Sequence, residues 1–160
     1  MTPIRKHNLA NDKSQAGALE RRVMLAASNI SFKFSSSVSK ATKEAADRAI
    51  KFWGKILNTN KQVSIFLDMK PNLEFGNFGF QQDGNFSGQQ SRVVISSKIF
   101  KDLNDDKRSK LNQTVIHEVG HALGLGHKGA EGTIMAGTGF GSKSVSKNQR
   151  ATLKKNGFIK

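Results

Sequence analysis

Three of the protein's four histidines fall in one short run, His117-Glu118-Val119-Gly120-His121-Ala122-Leu123-Gly124-Leu125-Gly126-His127. Residues four apart share a helix face, so a helix over about 105–124 points His117 and His121 the same way, and their ring nitrogens can share one metal ion. Glu118 is turned about 100° from His117 around such a helix. From there its carboxylate can reach a water at the metal without taking a coordination position, which is what a general base needs. Gly124 comes three residues after His121. Glycine adopts positive φ at little cost and so ends helices. A reversal across 124–126, with Gly126 also free of a side chain, brings His127 back as a third nitrogen ligand. Three protein ligands leave the fourth position of a tetrahedral zinc ion open, as a catalytic site requires. A plain amphipathic helix gives no reason for Gly120, Gly124 and Gly126, each costing a helix interior up to about 1 kcal/mol against alanine.

The elements that must position these residues follow from periodicity. Leu111, Val115, Val119 and Leu123 recur every four residues and give the histidine helix a core-facing stripe beside its metal face. Asn104, Asp105 and Asp106 supply a cap and negative charge at its start. An earlier helix over about 40–57, capped by Ser37 or Ser39, places Ala41, Ala45, Ala49, Phe52, Trp53 and Ile56 on one side and mostly charged residues on the other. At that spacing Trp53 reads as core rather than as the wall of a ligand pocket. Val23 to Phe34 turns β-like, with Ile30, Phe32 and Phe34 alternating, and Val63 to Leu67 reads as a second strand. Strand, helix, strand in this order predicts a right-handed crossover and a parallel pair. Residues 71–92 are rich in Gly, Asn, Gln and Phe, with a short strand at Phe78 and Phe80 and turns at Asp83-Gly84 and Ser87-Gly88. Arg92 to Ser97 is a buried strand by composition.

HExxHxxGxxH resembles the zinc signature of the metzincin metallopeptidases. That family also has a methionine-containing turn beneath the metal, and Met135 in Thr133-Ile134-Met135-Ala136 is the matching residue. The step from His127 to Met135 and the run from Gly120 to His127 are most similar to the matrixin branch. The resemblance implies an α+β, zincin-like single domain. It has a twisted mixed sheet of about four to five strands, an edge strand around 76–81 bordering the cleft and pairing with an extended substrate, and three helices, the two above and a last one over about 145–156, where Val145 to Lys155 resembles the family's final helix. It further implies that residues 137–142 form part of a specificity-pocket wall. Matrixins carry a structural zinc and calcium as well. Here no histidine lies between His7 and His117 to hold the zinc, and in the corresponding region Asp68, Glu74 and Asp83 are the few acids at hand, which leaves calcium possible but unsupported. No tyrosine is present, which removes the metal-binding tyrosine of astacins and serralysins, and Gly137 stands where matrixins usually have proline.

At 160 residues the chain is one domain with room for a core. Residues 1–20 are polar and aperiodic and read as a loose N-terminal arm, leaving 21–160 as the catalytic domain; His7 in the arm has no evident role. No cysteine is present, which excludes disulfides, thiolate ligands and the cysteine-switch latency of matrixins. No stretch reaches the apolar length of a membrane span, and no signal-peptide core follows the N-terminus, so the chain reads as soluble, cytoplasmic or exported by a leaderless route. The formal charge of +14 is concentrated toward the two ends. It suits an anionic partner or, more simply, a solvated surface. No nucleic-acid motif is present and the aromatics are not interleaved with the basic residues, which argues against nucleic acid.

The expected activity is zinc-dependent endopeptidase action on protein or peptide substrates by a monomer, with one catalytic Zn²⁺ on His117, His121 and His127 and Glu118 as base. A zinc-containing binding or effector protein and a hydrolase of cell-wall peptides are the alternatives.

Overall fold

The computed structural model describes residues 29–73, 79–82, 91–136 and 144–160. Four strands, β1 (Ile30–Phe34), β2 (Val63–Lys70), β3 (Gly79–Gln82) and β4 (Ser91–Ser96), form one sheet in the order β1-β2-β4-β3. β1, β2 and β4 are parallel; β3 runs antiparallel to β4 on the outer edge. Three helices accompany them: α1 (Lys40–Gly54), α2 (Asp105–Ala122) and α3 (Lys147–Lys155). The α+β class, the mixed sheet and the three helices agree with expectation.

Register explains the burial. Ile65, Leu67 and Met69 of β2 stand beside Ser91, Val93 and Ile95 of β4, and the apolar members join Ala45, Ala49 and Trp53 of α1 and Leu111, Val115 and Val119 of α2 in one core. Alternation along β2 is that of a strand with one covered face. In β4, Val93, Val94 and Ile95 are all fully buried, which requires cover on both faces.

The boundaries shift by a few residues. α1 stops at Gly54 rather than near 57, because Lys55 and Ile56 turn back onto the carbonyls of Phe52 and Trp53 at a glycine poorly suited to continue a helix. Of the two candidate caps Ser39 is the one used, accepting from Thr42 N–H at 3.2 Å. Ser37 instead donates to Asp68 Oδ1 at 2.9 Å. Asn104 caps α2, as expected, accepting from Lys107 N–H at 2.8 Å. α3 begins two residues later than expected, behind a reciprocal capping box of Ser146 and Gln149. The loose arm at 1–20, residues 23–28 of the first expected strand, the turns at Asp83-Gly84 and Ser87-Gly88, Glu74 and the pocket wall at 137–142 lie outside the described residues.

Candidate metal centre

α2 presents His117 and His121 one turn apart and then ends in a way that returns the chain. Leu123 is the C-cap with φ −87°, and Gly124 takes φ +88°. Gly124 N–H then donates to His121 O at 2.8 Å and Leu125 N–H to Gly120 O at 3.0 Å, the paired bonds of a Schellman close. The turn that follows uses Gly129 and Gly132, at φ +65° and +69°. Gly126 differs from Gly124. Its φ is not positive and a Cβ there would meet nothing within 4 Å, so nothing in the structure explains the glycine.

The reversal brings the three imidazoles together. His117 Nε2 lies 2.9 Å from His127 Nε2, His121 Nε2 lies 2.9 Å from His127 Nε2, and His117 and His121 Nε2 are 3.1 Å apart. On the far side of two rings, His117 Nδ1–H donates to Ile134 O at 2.8 Å and His121 Nδ1–H to Leu125 O at 2.7 Å. A carbonyl only accepts, so these bonds fix the proton on Nδ1 and leave the lone pair on Nε2. Burial, opposed by the bond to Leu125 and reinforced by the neighbouring imidazoles, lowers His121 to about 4. Burial lowers His117 likewise, against its bond to Ile134 and with the help of His127. Both are neutral at pH 7, and their lone pairs converge where they repel unless a cation sits between them. A tetrahedral zinc ion at about 2.0–2.1 Å from each nitrogen would set those nitrogens about 3.3 Å apart. The observed spacings lie within a few tenths of that, so these residues fit the ion, and among the described residues they are the group able to hold one.

Gly120 has a steric reason. A Cβ there would overlap Met135 Sδ and lie 3.0 Å from Met135 Cε and 3.1 Å from Trp53 Cζ2. Met135, fully buried, thus packs against bare α2 backbone between the two helical histidines. Trp53 is core, as expected, and adds a polar link that periodicity does not reveal: Nε1–H donates to Ile116 O at 3.0 Å, one residue before His117. Glu118 is 5 % exposed, on α2 beside the first histidine. Asp68 is already engaged. Partial burial would raise its pKa, but bonds from Ser35, Arg92, Ser37 and Met69 N–H outweigh that and hold it at about 2.

A family model for matrixins matches residues 5–155. The chain belongs to the matrixin family. No curated protein matches it. Membership implies that this matrixin is a zinc-dependent endopeptidase acting on protein or peptide substrates, and the histidine cluster is compatible with a metzincin zinc site. Among the described residues the matrixin has no helix long and apolar enough to cross a membrane.

Sequence reasoning missed Thr133, Gln149 and Asn156. Gln149 Nε2–H donates to Thr133 Oγ1 at 3.0 Å, and Asn156 Nδ2–H to Leu123 O at 3.1 Å. The Ser146-x-x-Gln149 spacing could have revealed the cap, though not its reach to Thr133.

Proposed function

We propose that this chain hydrolyses internal peptide bonds with one zinc ion held by His117, His121 and His127 and with Glu118 as general base. The convergence of three imidazole Nε2 atoms, two of them bearing lone pairs because their Nδ1–H groups are committed to carbonyls, carries the reading. Zinc held there supplies Lewis acidity, lowering the pKa of a bound water to about 7 and polarising the scissile carbonyl. Every other part falls to the chain. Glu118, next to His117 on α2, accepts the proton of the attacking water and returns it to the leaving amine. Ile134 O and Leu125 O keep two rings in the tautomer that faces the ion. Met135, on Gly120, forms an apolar floor that excludes water from behind the histidines. β3 is the last strand in the sheet order and packs near α2, so its outer edge offers main-chain donors and acceptors to an extended substrate with little dependence on side chains.

A peptide library derived from denatured protein tests this. The wild type cleaves it, a chelator abolishes cleavage, and one equivalent of zinc restores it, whereas His121→Ala neither retains zinc nor cleaves. Undiminished cleavage by folded His121→Ala would remove the histidine cluster from the chemistry.

A further inference from the structure

Gln149, Leu153 and Asn156 are spaced four and three apart and form one stripe of α3 and its C-cap. Leu153 is fully buried in the core, and the two amides on either side of it reach different parts of the histidine region. At the start of α3, Gln149 is satisfied at both ends: Oε1 accepts from Ser146 N–H at 2.8 Å, and Nε2–H donates to Thr133 Oγ1 at 3.0 Å. The Thr133 hydroxyl in turn donates to Ala130 O at 2.7 Å and accepts from Met135 N–H at 3.2 Å. At the end of α3, Asn156 Nδ2–H donates to Leu123 O at 3.1 Å. One helix therefore grips both Leu123 and Thr133, the two ends of the segment whose middle carries His127.

The carbonyls that orient the other two rings lie next to those grips. Leu125 O, which accepts from His121 Nδ1–H, is two residues beyond Leu123, and Ile134 O, which accepts from His117 Nδ1–H, is one residue beyond Thr133. Seven residue steps of about 1.5 Å each separate the two amides by about 10 Å, a span that cannot stretch while α3 stays helical. The C-terminal strap holds α3 itself: Lys61 Nζ donates to Asn156 O at 3.0 Å and lies 4.8 Å from the centre of the Phe158 ring, while Asn58 N–H donates to Phe158 O at 3.1 Å.

We propose that α3 is a brace for the ligand triad, with Gln149 and Asn156 as positioning residues that fix the ends of the 123–133 segment and through them the three imidazoles. The proposal rests on the zinc reading above, but it concerns residues that touch neither metal nor substrate. Residues that hold metal ligands in place typically contribute about 10–100-fold in metal affinity, and for groups one bond further out about tenfold is expected.

The test measures zinc dissociation constants by competition with a chromogenic chelator, and visible spectra after Co²⁺ substitution, for wild type, Gln149→Met, Asn156→Ala and the remote core variant Ile65→Val. Gln149→Met keeps the volume of the buried side chain and removes both of its bonds; Asn156→Ala changes only a half-buried cap, so at least one folds. The brace predicts about tenfold weaker zinc binding in each α3 variant and altered Co²⁺ bands, with Ile65→Val unchanged in both despite its own loss of stability. Zinc affinity within twofold of wild type in both α3 variants, or a loss no greater than in Ile65→Val, overturns the brace while leaving the zinc site intact. Failure of the wild type to bind zinc overturns the zinc reading instead. In that case amide hydrogen exchange of the metal-free proteins still decides the brace: exchange over 123–135 accelerates in the two α3 variants and not in Ile65→Val, and equal exchange in all four refutes it.

Discussion

At the scale of single residues, what matters is the difference between the two nitrogens of the His117 and His121 rings. The spacing of His117, His121 and His127 was legible because side-chain identity and helical period together place two of them and a glycine returns the third. The carbonyls of Leu125 and Ile134 were not, since every residue has one and only the folded path decides which two face a ring. The reversal at Gly124 was readable because glycine permits a positive φ, and Gly126, which does not take one, shows that glycine does not require it. Burial of the histidines also carries a pH dependence. In metal-free protein His121 titrates near 4, against 6.5 for an ordinary histidine, and His117 shifts the same way. Between those values the unfolded chain binds more protons than the folded one, so stability rises with pH. Chelator-treated protein is therefore expected to keep its full melting temperature above pH 6.5 and to lose it progressively as pH falls toward 4, followed by thermal melting at pH 7, 5.5 and 4.5. An identical fall in His121→Ala would show that another group is responsible.

At the scale of elements, α2 is an apolar anchor and a ligand platform at once. Its stripe of Leu111, Val115, Val119 and Leu123 is fully buried, and that much was written in the four-residue repeat. What the repeat could not show is the opposing partner. Gly120 costs the helix about 1 kcal/mol in propensity, and propensity alone makes Gly120→Ala stabilising. The packing of Met135 and Trp53 onto that backbone reverses the sign: the added methyl must displace a buried thioether and also crowds a rigid indole, and overpacking of this kind costs typically about 1–3 kcal/mol. Gly120→Ala is accordingly expected to lower the denaturation midpoint, measured by chemical unfolding of the metal-free protein; an unchanged or raised midpoint would contradict the packing. α3 was expected as a helix from the family resemblance, but its two long reaches, from Gln149 to Thr133 and from Asn156 to Leu123, join residues far apart in sequence and leave no local signal.

At the scale of the whole molecule, the parallel pairing of β1 with β2 followed from strand-helix-strand order, whereas the insertion of β4 between β2 and β3 is a long-range choice that periodicity does not encode. That order puts an antiparallel strand on the edge near α2, while α1 packs on β1 and α2 on β2 and β4 as well. α2, which carries His117 and His121, packs against β2, β4 and the edge strand β3, and the proposed reaction, peptide-bond hydrolysis by an acid–base residue acting at zinc, belongs to this arrangement. The most direct measurement determines zinc content and peptide turnover on the same samples of wild type and Glu118→Gln. One zinc per chain in both, with turnover lower by about 10²–10⁴-fold in the glutamine variant, is the predicted result. Full turnover by zinc-loaded Glu118→Gln would contradict it.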